Sequence, residues 1–360
     1  MTPTRILYIT DQYKVSQGYE PAFTRLLNKA GIKRGQVITA DIYRLVDTPL
    51  IRKGNEKTWR FNPDRKEAIQ KAFDLRIEAI KPSLIVVSDP AVLGVLVGWD
   101  WNLATLAKCR GGVYNYRGYV VVVTYPITVI NTHVDESLVY GEDDENKHEP
   151  YRVKSGAWIL QRDWEKVGRW VSGKQRRLPD FQYSITRTLE DCFAARRWLS
   201  DCVAISVDVE TGTYPAQITC VGYCGLKQDG SCRTFVFPFY DAFKDGGVHW
   251  DSEEDHAIAW SIVRDINALP ILKVMQNGQY DCSYFVKYGI APESYLIDCM
   301  LLWYSMYMEL PKSLDFISSI LLDNFQYWKD DIKGIDNEKE GDRKTTNMEA
   351  YWRYNGLDCY

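Results

Sequence analysis

Short apolar runs alternate with longer amphipathic stretches along the first half of the chain, and this alternation predicts strands separated by helices. Such an order favours an α/β domain whose sheet is largely parallel. The predicted elements are, in chain order, a strand from Arg5, a helix at about residues 19–30, a strand near Gln36, a helix from Asn62-Pro63 to Ile80, a strand from Ser83 and a hairpin that turns at Arg117-Gly118.

A polar stretch with glycine and proline, residues 173–182, separates the two halves and is typical of a linker. Beyond it, Thr188 and Asp191 have the spacing of a helix-capping box, which predicts a helix through Leu199. Further predicted elements are a strand over residues 203–211, a helix from Ser252 to about Ile266, a strand from Ile271 and a final helix from Met348. We therefore predict two α/β domains, residues 1–172 and residues 183–360.

Two acidic residues interrupt the apolar strand at residues 203–211. Asp208 and Glu210 are two positions apart, so they lie on the same face of a strand. Neighbouring carboxylates in a core are costly unless a cation accompanies them, and oxygen ligands suit Mg²⁺ or Mn²⁺. Taken alone, the pair is more simply a solvated strand end, so its meaning depends on which other residues join it.

Two later elements also carry acids. Asp281 follows a short apolar strand and a polar turn, at the start of an aromatic-rich helix, where the helix dipole alone favours an acid. Tyr354 and Asp358 are four positions apart in the last helix and are therefore neighbours on one helical face. Each of these elements is ordinary by itself.

The three elements together resemble the 3′–5′ proofreading exonuclease of family A (polymerase I-like) DNA polymerases, in the group with four carboxylates and a tyrosine. The resemblance covers about residues 183–360 and extends to connecting segments such as residues 234–241, 297–302 and 312–317. It implies a ribonuclease H-like α/β fold with a mixed central sheet, and a phage protein with a role in DNA replication. The matching motifs are Val207-Asp-Val-Glu-Thr, Gln276-Asn-Gly-Gln-Tyr-Asp281 and Tyr354-Asn-Gly-Leu-Asp358.

The resemblance also implies a role for each motif residue around two divalent ions. Asp208 would bridge both ions, and Glu210 and Asp358 would complete the shell of the ion that activates water. Asp281 would hold the second ion, partly through water, and Tyr354 would orient the attacking water. Two such ions activate the water and stabilise the leaving oxygen of a phosphodiester. Because a free tyrosine titrates near about 10, a hydrogen-bonding role is easier at neutral pH than that of a base.

The same motifs supply candidate contacts to a single-stranded DNA 3′ end, namely Thr211, Asn277, Tyr280 and Tyr284. In the family the exonuclease is followed by a polymerase domain, which has no counterpart in these 360 residues. We therefore expect a DNA polymerase partner, in cis or in trans. We also expect higher activity in its presence, because Asp358 lies in the last helical turn and helix ends fray.

The order of elements in residues 1–172 is similar to that of uracil-DNA glycosylase-like α/β sandwich domains, but the functional residues of that family do not carry over. Asp11-Gln-Tyr-Lys stands where the family has a Gly-Glu-Ala-Pro-Gly-like segment, and Tyr125-Pro126-Ile127 stands where it has His-Pro-Ser. Base excision normally needs that histidine or an equivalent donor. We expect a non-catalytic docking or DNA-contact domain, with Asp11 as a weak candidate for a water activator.

Composition and charge change this picture little. The net charge of −4 and the hydrophobic content of 46% are those of an ordinary globular protein rather than of a groove-coating DNA binder. We expect a cytoplasmic protein, in the host cytoplasm if viral, with no membrane association, since no apolar run could span a bilayer and the first residues lack a signal-peptide layout.

Residues 135–149 are strongly acidic and predict an exposed loop. Residues 152–177 combine basic side chains with tryptophans, which favours a final helix packed on the core over a phosphate-steering surface.

Two other functions stay open from the sequence. An exoribonuclease would use the same carboxylates and tyrosine, and only its tolerance of a 2′-hydroxyl separates it from a DNA exonuclease. A non-catalytic polymerase accessory could hold single-stranded DNA on aromatic side chains. Such a module has no need of four clustered acids, so the prediction is a metal-dependent exodeoxyribonuclease that trims mispaired 3′ ends.

Overall fold

The computed structural model describes residues 4–10, 18–41, 50–51, 60–61, 66–88, 92, 106–131, 156–176, 178–212, 217–294, 296–329 and 347–360. The chain divides into two compact units. The first consists of Met1–Arg177 with Glu309–Tyr327, and the second of Leu178–Met308 with Trp328–Tyr360. The first division lies inside the predicted linker, whereas nothing in the sequence indicates that the stretch from Glu309 to Tyr327 belongs to the first unit.

The elements are numbered here in chain order. The described helices are α1 (Glu20–Lys29), α2 (Lys66–Ile80), α3 (Leu106–Cys109), α4 (Gly156–Ser172), α5 (Leu189–Leu199), α6 (Glu253–Asn267), α7 (Gly278–Lys287), α8 (Cys299–Met306), α9 (Leu314–Leu321) and α10 (Met348–Cys359). The described strands are β1 (Ile6–Thr10), β2 (Val37–Asp41), β3 (Leu50–Ile51), β4 (Arg60–Phe61), β5 (Leu84–Val87), β6 (Val113–Tyr116), β7 (Tyr119–Val123), β8 (Tyr183–Ile185), β9 (Ala204–Thr211), β10 (Ile218–Leu226), β11 (Cys232–Pro238), β12 (Leu272–Met275) and β13 (Leu296–Asp298).

A five-stranded sheet in the order β2-β1-β5-β7-β6 forms the centre of the first unit. All neighbouring strands are parallel except β6 and β7. These two are joined at Arg117 and Gly118, whose φ angles of 50° and 88° suit the tight turns of hairpins. The mainly parallel sheet and the hairpin predicted from the sequence are confirmed. The predicted helix start at Asn62-Pro63, the candidate Asp11 and the acidic stretch at residues 135–149 lie outside the described residues.

Helix α4 covers most of residues 152–177, the stretch that combines basic residues with tryptophans. Trp164 is fully buried, as predicted for a helix that packs on the core. Lys166 is fully buried as well, and its ammonium group donates to the carbonyl oxygens of Gly111 and Ser319 at 2.6 and 2.7 Å. Part of the basic character of this helix therefore serves internal contacts rather than a surface for phosphate.

The second unit is built on a six-stranded mixed sheet in the order β13-β12-β9-β10-β11-β8. Strands β9, β10 and β11 are antiparallel, while β12 and β13 run parallel to β9, and β8 runs parallel to β11. Helices α5 and α6 bury one face of this sheet against side chains such as Val207, Val209 and Tyr223. Helix α10 covers the opposite face, where Met348 and Trp352 pack against Cys220 and Val236.

The capping predictions for this unit are also confirmed. The Thr188 hydroxyl accepts the N–H of Asp191 while the Asp191 carboxylate accepts the N–H of Thr188, so both groups of the capping box are paired. Ser252 caps α6 through the N–H of Asp255. Among the described residues, none of the helices has the length and apolar character required to cross a bilayer.

Candidate active site

Strand β9 presents its two acids to α10 because its side chains alternate. Val207 and Val209 point into the core below the sheet, so Asp208 and Glu210 point to the other face. Ser206, on the same side, donates its hydroxyl to the backbone oxygen of Cys359 in α10. The acids thus face the end of the last helix.

A glycine in the neighbouring strand lets α10 come close enough. Gly222 of β10 pairs with Asp208 in the sheet register. A Cβ atom at this position would lie 2.5 Å from Asn355 Oδ1 and 2.6 Å from Cys359 Sγ, distances that side chains do not tolerate. The close packing of α10 therefore depends on the absence of a side chain at residue 222.

Three carboxylates converge at this contact. One oxygen from each of Asp208, Glu210 and Asp358 lies within 4.8 Å of the others. We call these three residues the acid cluster. All are partly accessible to solvent, and they offer only hard oxygen ligands, the type that Mg²⁺ and Mn²⁺ prefer.

Asp281 lies beside the acid cluster rather than within it. It belongs to the first turns of α7, is 3% exposed, and its Oδ1 accepts the backbone N–H of Val209 at 3.0 Å. Burial raises the pKa of Asp281 to about 6, an effect that this hydrogen bond partly offsets. Its charge in turn contributes to the raised pKa of Asp208.

The electrostatic environment of Asp208 is strongly negative. Burial raises its pKa well above the ordinary value for an aspartate, and the charges of Glu210, Asp358 and Asp281 raise it further. A hydrogen bond from Asn355 Nδ2 to Asp208 Oδ2, 2.7 Å long, acts in the opposite direction. Like charges held this close favour protonation or the binding of a cation.

Tyr354 joins the site through Asp358. Burial and the negative charges of Asp358 and Glu210 raise the pKa of Tyr354 far above that of a free tyrosine, and the tyrosine is hydrogen-bonded to the Asp358 carboxylate. The hydroxyl consequently keeps its proton at neutral pH and can donate it in a hydrogen bond. This state suits the orienting role implied by the sequence better than that of a base.

The predicted nucleic-acid contacts fall into two places. The hydroxyls of Thr211 and Tyr280 are 2.5 Å apart, and the rings of Tyr280 and Tyr284 are 5.1 Å apart, so these three form one group next to Glu210. Tyr280 is 45% exposed, which leaves its ring accessible to a ligand. Asn277 lies at the beginning of α7 with a φ of 58°, and its backbone N–H donates to Asp298 rather than to another member of the group.

Three residues at the site were not singled out in the sequence. Asn355 holds Asp208, and Trp328 donates its ring N–H to Asp358 Oδ1 at 2.6 Å. Asp298 accepts the backbone N–H groups of Asn277 and Gly278, at 3.2 and 2.8 Å, and so supports the turn that leads to Asp281. Asn355 and Asp298 stand inside motifs that the sequence offered, but Trp328 has no spacing or motif that could connect it to Asp358.

No family model matches the sequence, and no curated protein matches it. Among solved structures, the chain is similar to Escherichia coli RNase D, described as an exoribonuclease involved in structured RNA processing, with 19% identity, 50% of this chain and 42% of that chain covered, and a TM-score of 0.31. It is also similar to Trypanosoma brucei RNase D, with 17% identity and a TM-score of 0.28, over 35% of this chain and 41% of that chain. The similarity to the Aedes aegypti Nibbler EXO domain has 12% identity and a TM-score of 0.36, over 51% of this chain and 85% of that chain. The match spans less than half the length of the two RNase D chains.

Proposed function

We propose that this chain is a divalent-metal-dependent 3′–5′ exonuclease that hydrolyses phosphodiester bonds at single-stranded or mispaired 3′ ends of DNA. The observation that carries the proposal is the acid cluster, in which carboxylates from β9 and α10 meet within 4.8 Å. Carboxylates held this close together destabilise the folded protein unless a cation compensates their charge. The hard oxygen ligands favour Mg²⁺ or Mn²⁺ as that cation.

Each site residue has a proposed role that agrees with its surroundings. Asp208, central to the acid cluster, would be shared by two ions, with Glu210 and Asp358 on the first and Asp281 on the second. When bound, the ions would activate a water molecule and stabilise the leaving oxygen. Tyr354 stays protonated next to Asp358 and would hold the attacking water by a hydrogen bond.

The 3′ end would lie along the exposed edge of α7. Tyr280 and Tyr284 offer aromatic surfaces on which bases stack without sequence preference, and Thr211 lies one residue beyond Glu210. Asn277, at the start of the same helix, would contact the strand from the other side. DNA rather than RNA is proposed from the resemblance of the three motifs to proofreading exonucleases.

Three wider proposals accompany this one, and each rests on its own signal in the sequence. The chain would act with a DNA polymerase domain in cis or in trans, and in the cytoplasm, or in the host cytoplasm for a phage protein. The first unit would be a non-catalytic, uracil-DNA glycosylase-like module for docking or DNA contact. Its parallel sheet with one antiparallel hairpin agrees with that fold class.

The decisive experiment is digestion of a 5′-labelled primer that carries a 3′ mismatch on a template, with Mg²⁺, with Mn²⁺ and with EDTA. The expected result is stepwise shortening from the 3′ end in the presence of either metal and none in EDTA. An RNA primer of the same sequence is the second arm. Faster digestion of RNA would replace the DNA assignment by an exoribonuclease, and binding without digestion in all metals would leave only an accessory that holds single strands.

A further inference from the structure

We infer that Asn355 and Trp328 are positioning residues that orient the metal-binding carboxylates by neutral hydrogen bonds, Asn355 acting on Asp208 and Trp328 on Asp358. This inference rests on the proposed function, because it concerns how the acid cluster is prepared for ions. Neither residue would touch an ion or the substrate. Each would act through the carboxylate that it holds.

Both residues donate a short hydrogen bond to a carboxylate of the acid cluster. Asn355 is fully buried, and its Nδ2 lies 2.7 Å from Asp208 Oδ2. Its Oδ1 lies close to Gly222, where an added Cβ atom would be only 2.5 Å from that oxygen. Trp328 Nε1 donates to Asp358 Oδ1 at 2.6 Å, and the Trp328 ring is partly buried.

The chemical type of the two donors is as informative as their distances. An arginine or lysine in either place would neutralise a carboxylate and compete with a divalent ion for it. An amide or indole N–H carries no net charge, so it fixes the direction of a carboxylate and leaves its negative charge available. A carboxylate has about four lone-pair positions, so the amide on Asp208, and the indole and the tyrosine on Asp358, leave room for an ion. Such outer contacts commonly set the affinity of a metal site.

Trp328 holds Asp358 from outside the last helix. The two residues are 30 positions apart in the chain, and the indole N–H donates to Asp358 Oδ1 across that separation. We therefore expect Trp328 to matter more for the position of Asp358 than for the overall stability of the protein.

The test compares two tryptophans and two asparagines of the second unit in the full chain. Trp328→Phe removes the ring N–H and keeps an aromatic ring, and Trp352→Phe makes the same change on α10, where the N–H of the buried Trp352 ring has no partner among the described residues. Asn355→Ala removes the amide at Asp208. Asn267→Ala removes an equally buried amide that instead contacts Tyr223 and Ile290.

Mn²⁺ affinity is measured by electron paramagnetic resonance of the free ion, alongside the kcat and KM for a single-stranded DNA and the thermal midpoint without metal. Trp328→Phe and Asn355→Ala should each weaken Mn²⁺ binding by roughly 10- to 100-fold. They should also lower kcat with little change in KM, whereas Trp352→Phe and Asn267→Ala keep the Mn²⁺ affinity of the wild type. If Asn355→Ala does not fold, Trp328→Phe and its control decide.

Wild-type Mn²⁺ affinity in both Trp328→Phe and Asn355→Ala, in a protein that digests DNA normally, would overturn the inference and leave the proposed function intact. Equal losses in the test and control variants would overturn it too, because they would indicate a general effect of destabilisation. A wild-type protein that neither binds Mn²⁺ nor digests nucleic acid would instead remove the proposed function, and this inference with it.

Discussion

The two units treat buried aspartates in opposite ways. In the first unit, Asp163 accepts Arg110 Nη1 at 3.0 Å and the hydroxyl of Thr124 at 3.1 Å, and Asp323 accepts two nitrogens of Arg169 at 2.8 and 2.6 Å. In the second unit, burial and three other acids raise the pKa of Asp208, and the contact that opposes them among the described residues comes from the neutral amide of Asn355. Among the described residues, Asp163 and Asp323 are thus paired with arginines, whereas the acids around Asp208 face one another.

This contrast distinguishes aspartates with a structural role from aspartates that would bind a ligand. An aspartate paired with an arginine links two segments of the fold, and removing it is costly because the partner charge is left buried. Acids that repel one another contribute no such stability, and a cation that binds between them compensates their repulsion. The four predictions that follow test this distinction, from the largest expected effect to the smallest.

Removing the central acid should abolish the proposed activity. Asp208→Ala is expected to lower the rate of digestion of a 5′-labelled single-stranded DNA by at least about 10³-fold, since bound metal ions contribute several kcal/mol to such reactions. Asp265→Ala, which changes a half-exposed acid of α6, is the matched control and should retain activity. Metal-dependent digestion at the wild-type rate by Asp208→Ala would contradict the site assignment.

Neutralising an aspartate of the first unit should instead cost stability. Asp163→Asn leaves Arg110 without its carboxylate in the interior, and we expect a loss of about 3–5 kcal/mol in the free energy of unfolding. Urea unfolding measures it. Glu165→Gln, on the same helix α4, changes a partly exposed pair with Arg162 and a hydrogen bond from Gln161, and its effect should stay within about 1 kcal/mol. Similar urea midpoints for Asp163→Asn and Glu165→Gln would mean that the pair of Asp163 with Arg110 does not stabilise the fold.

Metal should stabilise the protein in a pH-dependent manner. Burial raises the folded-state pKa of Asp281 to about 6, above its unfolded value, so the stability from its neutral form is present at low pH and is lost as pH rises through about 6. Asp208, with its pKa also raised, acts in the same direction. A bound ion removes this penalty, and a concentration of 100 times the Kd adds about 2.7 kcal/mol. The rise in thermal midpoint on adding Mn²⁺ should therefore be larger at pH 8 than at pH 5. An equal rise at both values would argue against binding at these acids.

The smallest effect concerns the metal-free protein. Asp208→Asn removes one negative charge from the acid cluster, and we expect the free energy of unfolding at pH 8 in EDTA to increase by about 1 kcal/mol. The same chemical change at Asp163 has the opposite sign, so the pair of variants compares the two units directly. Destabilisation by Asp208→Asn would indicate that the acid cluster holds an internal cation after all.

Local signals in the sequence were sufficient for much of the second unit. The period-2 alternation of β9 predicts that Asp208 and Glu210 share a face, and the structure places them so. The capping residues Thr188 and Ser252 mark helix starts because their hydrogen bonds are formed within three residues. These predictions depend on neighbours in the chain, which a single sequence makes visible.

Contacts between distant segments could not be predicted in this way. The bond from Trp328 to Asp358 and the bond from Asn355 to Asp208 depend on how the chain returns to the sheet, which no local pattern encodes. The catalytic roles of all five motif residues, and the nature of the first unit, stay predictions. The membership of Glu309–Tyr327 in the first unit was missed for the same reason, since it depends on contacts with distant residues such as Lys166 and Arg169.

That stretch has a practical consequence for anyone who dissects the protein. Ser319 and Asp323 supply acceptors to Lys166 and Arg169, and the backbone oxygen of Phe325 accepts the N–H of Val113 at the start of β6. A fragment cut after the linker would keep the cationic side chains and lose these acceptors. Separate expression of the amino-terminal half therefore calls for residues 309–327 to be supplied as well, either as a peptide or grafted through a short connection.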